Sequence, residues 1–191
     1  MASFSTHIAI AKVYLNKNKV EHPKEFLKGV VEPDLVINKT LSHYSDFRDK
    51  RDLKEFLKGK VNLIKFLEGN NINSDYQKGV FLHLITDYEM YNNFFDEEYI
   101  NNTTHETYCN NLYHSFDEMD EYLKSRYPVE EFGLETEIEK RISKKKQKLG
   151  FNKEKTLYQN VLPITKLEPW INKIGSINLE EYKNNILDCQ K

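Results

Sequence analysis

Cysteine is close to absent from this chain of 191 residues, with Cys109 and Cys189 the two examples. They lie far apart and form no C-x-x-C pair, so the expectation is two free thiols in an intracellular setting and no disulfide framework. Long apolar runs are missing too. No stretch approaches the roughly 20 apolar residues of a membrane span. The opening MASFSTHIAIAKVYL has neither a basic region ahead of an apolar stretch nor a cleavage pattern. These absences predict a cytoplasmic protein with no integral membrane association. An excess of positive charge is also lacking: the formal net charge is −2, which gives no overall field to hold phosphates, so nucleic acid is a disfavoured partner. No segment alternates apolar and polar residues as a strand would, and there is no internal repeat or low-complexity tract.

Aromatic residues, in contrast, are plentiful: 12 Tyr and 11 Phe within a hydrophobic fraction of 39%. That is enough bulky material to build one substantial core, and the length suits one domain spanning residues 1–191. The periodicities predict an all-α fold. A first helix runs from Ser5 to about Asn18, with Ser5 or Thr6 as its N-cap. A second begins at Pro23 and is ended by Pro33, and the VINKTLSHYSDF segment after it reads as loop. One or two short helices, interrupted near Gly59, occupy Asp52 to Glu68. A polar loop then ends in Ser74, the expected N-cap of the next helix. A long helix starts near Thr103 or Thr104 and closes before Pro128. A charged helix follows from Val129 to Leu149, and two closing helices complete the chain, the last capped by Asn178. The C-terminal helices, 103–190, are expected to cover the core.

The central element is the stretch Tyr76–Phe95. Val80, Phe81, Leu84, Ile85, Tyr88, Tyr91, Phe94 and Phe95 recur at offsets of three and four and cover most of its circumference, which predicts a buried helix. His83 and Asp87 sit inside that apolar run, four residues apart and so on one face. A buried carboxylate without a partner costs several kcal/mol or takes up a proton, so this pair calls for an explanation. Spacing alone favours a structural hydrogen bond over two metal ligands, because short motifs recur by chance. Gly79, one turn earlier, would let another backbone approach closely.

Further candidates are scattered along the chain: His7 in the first turn of the first helix, Asp34 directly after Pro33, and His43 in the loop. His114 and Glu118 are spaced four apart on the long polar helix, where Glu118 also fits a solvated DEMDE run. Taken in order, THIAIAK at His7, FLKGVVEPDL at Asp34, LSHYS at His43 and GVFLHLITDYEMYN at His83 and Asp87 resemble the zinc-dependent phospholipase C family. The likeness covers roughly the first 95 residues, and the combination is far more specific than any single part. It implies an all-helical fold that binds zinc through His and Asp, in a superfamily of secreted phospholipases and single-strand nucleases.

Carried onto this chain, the resemblance implies His7, Asp34, His43, His83 and Asp87 as metal ligands for two or three zinc ions, with another divalent metal as the alternative. Asp87 would bridge through its two oxygens. His114 and Glu118 are the candidates for a third ion, at a spacing different from the family's. In the secreted members the processed amino terminus is also a ligand. The implied activity is phosphodiester hydrolysis by a metal-activated water. Asp34, a carboxylate beside the metals, could also serve as base if it is not itself fully coordinated. The substrate would be a small molecule or a phospholipid head group, received among Tyr44, Tyr88, Tyr91 and Phe94, residues that serve equally well as core. Two other readings stay open: a single-strand nuclease-like phosphodiesterase, and a non-catalytic metal-binding helical module that acts through a protein partner. A purely structural helical scaffold is the third.

Overall fold

Side-chain caps decide where most of the helices begin. The computed structural model describes residues 2–36, 38–46, 51–128 and 157–189, and the charged helix expected over 129–149 lies outside them. Helix α1 (Phe4–Lys17) is capped by Ser3, whose hydroxyl accepts the Thr6 N–H. The expected caps Ser5 and Thr6 are instead buried in the first turn. Ser5 donates to Asp120, so the residue that looks like a cap is spent on a contact with a distant helix. Helix α2 (Pro23–Leu35) starts at its proline, which gives up an N–H that a first turn leaves unpaired anyway. Pro33 does not end it: the helix runs two residues further, and Asp34 is held in helical geometry.

The following segment is not all loop. Asn38 caps a single turn, α3 (Lys39–Ser42), with His43 at its C-cap. Helices α4 (Leu53–Lys58) and α5 (Leu63–Gly69) are capped by Asp52 and Asn62 and separated at Gly59, as the sequence suggests. Ser74 and Gln77 form a capping box at the start of α6 (Asp75–Glu89). The central helix then continues as one π-helical turn, Met90–Phe94, which still places Met90, Tyr91 and Phe94 in the core. Next come α7 (Glu97–Asn101) and α8 (His105–Arg126), the latter capped by Thr104. The closing pair is α9 (Ile164–Ile174) and α10 (Leu179–Asp188), with Asn178 capping α10 through two backbone N–H groups. No strand occurs among the described residues, and the fold is all-α. None of the described helices is long and apolar enough to cross a membrane.

The largest contact between elements is that of α2 with α6. Two glycines set how closely they approach. A Cβ built on Gly79 would lie 2.0 Å from the Phe26 carbonyl oxygen, and one on Gly29 would lie 2.0 Å from that of Tyr76. The two backbones therefore touch directly, and no side chain larger than hydrogen fits at either position. Around this crossing α1 packs on α2 and α6, α8 and α9 pack on α1, and α5 and α10 close the remaining side of α6. Phe81, Leu82, Leu84 and Ile85 of α6 are 1% exposed or less, so this helix is apolar on nearly every face. His83 and Asp87 share that burial.

Candidate metal centre

The first turn of α1, the last turn of α2, the end of α3 and the middle of α6 converge on one point. His7, Asp34, His43, His83 and Asp87 meet there, drawn from four elements and 81 positions of sequence. His7, His43, His83 and Asp87 are at most 2% exposed, and the Asp34 side chain is 13% exposed. Among these described residues, Asp34 alone reaches solvent.

The hydrogen bonds behind the rings fix which nitrogen faces inward. His83 Nδ1 lies 2.7 Å from the Val30 carbonyl oxygen, which can only accept, so Nδ1 carries the proton and Nε2 presents a lone pair. The approach of α2 at Gly29 and Gly79 is what brings the Val30 carbonyl within reach. His43 Nδ1 is 2.9 Å from Ser42 Oγ, which is also 2.9 Å from the Pro33 carbonyl oxygen. With the hydroxyl donating to Pro33, His43 donates from Nδ1 and its Nε2 turns a lone pair inward; with the hydroxyl donating to His43, Nε2 carries the proton.

Those two Nε2 atoms are 3.1 Å apart. Two lone pairs at that distance repel unless a proton or a cation lies between them. Asp87 Oδ2 is 3.2 Å from His43 Nε2 and 3.8 Å from His83 Nε2, while Asp34 Oδ1 is 3.8 Å from His43 Nε2. The other oxygens face His7, whose Nε2 is 3.4 Å from Asp87 Oδ1 and 3.8 Å from Asp34 Oδ2. The His7 and His83 rings stack with centroids 3.8 Å apart.

These separations separate two kinds of contact. A direct charge-assisted N–H···O bond would bring the atoms to about 2.8 Å. Donors around a tetrahedral zinc, each about 2.1 Å from the ion, lie about 3.4 Å from one another. Most of the spacings here, 3.1 to 3.8 Å, are longer than a direct bond and leave room for a metal ion between the donors. Moreover, His7 Nδ1, His7 Nε2 and Asp87 Oδ2 are buried with no hydrogen-bond partner among the described residues. Such orphaned atoms are costly in a closed core, and a cation satisfies those that face inward.

The sets His7–His83–Asp87 and Asp34–His43–His83 could each hold a metal ion. His83 has one free nitrogen, so only one of the two sets can use it at a time. The pairwise distances sort the donors differently: His43, His83, Asp87 Oδ2 and Asp34 Oδ1 on one side, and His7 with the other oxygen of each carboxylate on the opposite side. In this arrangement both aspartates span the two positions.

The electrostatics suit ligands. Burial drives the His83 pKa well below its ordinary value, and the neighbouring His7 and His43 add to the effect against the pull of Asp34 and Asp87. A neutral imidazole is the form that binds metal. Burial alone would raise Asp87, but the facing His43 and His7 rings help to outweigh it, and the carboxyl is held well below the usual range. Asp87 Oδ1 also accepts the Ala2 N–H at 2.6 Å. At Asp34 burial is likewise outweighed, by His83, the Lys39 ammonium and His7. Lys39 is ion-paired directly to Asp34 Oδ1. An ionised carboxylate is the form that binds metal.

His114 and Glu118 do not join this centre. The described groups of three or more potential ligands include neither of them. His114 stacks on Tyr158 with centroids 4.7 Å apart, and Glu118 accepts from the Tyr158 hydroxyl and from Asn160 Nδ2, the latter at 2.6 Å. Both tie the 157–160 segment to α8, which accounts for the pair without an ion. Of the aromatic residues offered as a substrate rim, Tyr91 and Phe94 are core. Tyr44 lines a cleft of about 400 Å³ together with Phe66, Tyr76 and Val80. With φ at 55°, it occupies the left-handed region directly after His43, an uncommon conformation for an aromatic residue.

Sequence reasoning missed Ser42, Lys39, the Val30 carbonyl and the Ala2 amide. Ser42 stands beside His43 and could have been suspected as its support. Nothing in the letters marks a backbone group or a lysine five residues from an aspartate. No protein-family model, curated protein or solved structure matches the chain.

Proposed function

We propose that the chain is a zinc-dependent phosphodiester hydrolase similar to phospholipase C. The observation that carries this reading is the triangle of His43 Nε2, His83 Nε2 and Asp87 Oδ2, with sides of 3.1, 3.2 and 3.8 Å and both rings oriented from behind. A single proton between the two rings would leave Asp87 Oδ2 without a partner, whereas one ion serves all three donors. His43, His83 and Asp87 would hold one ion with Asp34 Oδ1 as fourth donor, and His7 with Asp87 Oδ1 and Asp34 Oδ2 would hold the second. Bound zinc supplies Lewis acidity toward a phosphoryl oxygen and lowers the pKa of water near neutrality.

The residues of the chain position and shield. His83 and His43 are locked by Val30 and Ser42, the apolar faces of α6 exclude bulk water, and Asp34 forms the partly exposed edge by which a substrate would enter. A phospholipid head group or another small phosphodiester is the substrate class this reading favours, with the cleft at Tyr44 nearby in sequence. Cys109 and Cys189 form no disulfide, which accords with action in a reducing compartment such as the cytoplasm.

The test is elemental analysis of protein purified without chelator or a histidine tag, alongside turnover of bis(p-nitrophenyl) phosphate, short-chain phosphatidylcholine and single-stranded DNA. Stoichiometric zinc with turnover that disappears in Asp87→Ala is the expected result. Bound zinc with no turnover of any of the three would favour the non-catalytic module, and no stoichiometric metal after zinc is added back would remove the hydrolase reading.

A further inference from the structure

Lys39 sits on the single turn of α3, five residues after Asp34 and four before His43. That turn is pinned on both sides. Ser42 Oγ reaches the Pro33 carbonyl at 2.9 Å, the His43 N–H donates to the Lys39 carbonyl at 3.0 Å, and Asn38 caps the turn through the Thr40 N–H. Its backbone is therefore fixed relative to Asp34, and its side chain is directed onto one oxygen.

That oxygen is Asp34 Oδ1, which also faces His43 Nε2 at 3.8 Å. An ion shared by Asp34 Oδ1 and His43 would lie about 2 Å from each, within a few ångströms of an ammonium bonded to the same oxygen. Like charges at that distance in a largely buried site repel strongly. The two cannot be held together on Oδ1. Lys39 differs from the rest of the centre in having a way out, since its side chain is 24% exposed and its four-carbon stem is flexible. Of the five described donors, Asp34 is also the one whose side chain reaches solvent.

We propose that Lys39 is a tethered competitor for the metal: its ammonium neutralises Asp34 in the metal-free protein, and loading of the His43 side of the centre displaces it toward the opening. This rests on the metal-centre reading above. It makes the metal-free centre less costly to fold and the loaded one weaker in affinity than its donor set alone would give. By linkage the two effects are reciprocal.

The test is zinc affinity of the full chain, measured by competition with a chromophoric chelator at fixed pH and ionic strength, for the wild type, Lys39→Met and Lys39→Arg. Visible absorption of bound cobalt(II) serves as an independent readout of the ligand field. Lys39→Met is expected to bind zinc about tenfold more tightly, with the metal-free form melting lower than wild type and the zinc-loaded form not. Lys39→Arg, which keeps the charge, is expected to bind close to wild type. Equal or weaker zinc binding by Lys39→Met, with zinc bound by the wild type, overturns the role of Lys39 alone. Zinc binding by none of the three overturns the metal centre itself and this proposal with it. Should the Met variant fail to fold, Lys39→Gln makes the same comparison with a polar side chain.

Discussion

Gly79→Ala tests the contact on which the centre is built. The added Cβ would meet the Phe26 carbonyl oxygen at 2.0 Å, the Val30 nitrogen at 2.9 Å and the Phe26 carbonyl carbon at 3.0 Å. All three are backbone atoms of a helix, and none can rotate aside. Restoring ordinary contact near 3.4 Å requires α2 and α6 to part by about 1.4 Å at this point. Overpacking against rigid backbone belongs at the upper end of the usual range, about 3 kcal/mol. Alanine recovers about 1 kcal/mol as the better helix former. The net loss is about 2 kcal/mol, or a fall in melting temperature of about 4–8 °C for a chain of this size.

The same parting would stretch the 2.7 Å bond between His83 Nδ1 and the Val30 carbonyl, so zinc affinity is expected to fall with stability. Gly69→Ala is the control, because a Cβ there meets nothing within 4 Å, and its effect is expected to stay within about 0.5 kcal/mol. Thermal and urea unfolding followed by circular dichroism measure both. A Gly79→Ala protein as stable as the Gly69→Ala control would refute the argument that direct backbone contact sets the α2–α6 distance.

Other consequences are as readily measured. Ser42→Ala removes the partner that orients His43, and zinc binding is expected to weaken by about 10- to 100-fold while the fold persists. His83→Ala should abolish stoichiometric zinc, whereas His114→Ala and Glu118→Ala should leave it unchanged, since those side chains serve Tyr158 and Asn160; loss of metal in either α8 variant would show that the centre extends onto that helix. Asp75 carries a pH dependence of its own. Burial would raise its pKa, but the His22 N–H at 2.7 Å and Lys78 at 3.0 Å outweigh this and lower it. A depressed folded pKa means that its contribution is fully present above the unfolded value near 4 and is lost as pH falls through the lower folded value. Asp75→Asn should therefore flatten the acid limb of the stability profile below about pH 4 and leave its slope near neutrality unchanged, as read by urea unfolding across pH.

The amino-acid sequence by itself determined the elements and their faces. The caps at Ser74, Thr104 and Asn178 could be read because a side chain two or three residues from its N–H partner is local information. The burial of α6 followed from its periodicity, and the one-face placement of His83 and Asp87 from a spacing of four. Locality also explains the misreadings. Ser5 has the chemistry of a cap but is claimed by Asp120, which is 115 positions away. Pro33 stops a helix only where the chain has nothing to gain by continuing, and here the last turn presents Asp34 to the centre. The π turn at Met90 has no mark in the neighbouring letters.

Only the tertiary structure decided that His7, Asp34 and His43 reach the same point as His83 and Asp87. It also decided which nitrogen each ring of α6 and α3 turns inward, that Lys39 holds Asp34, and that His114 and Glu118 serve another contact. The physical reason lies in the range of the forces. Helix formation and capping act over a few residues and are written in neighbouring letters. The donor geometry depends on how closely two backbones cross at Gly29 and Gly79, a distance fixed by the packing of the whole core.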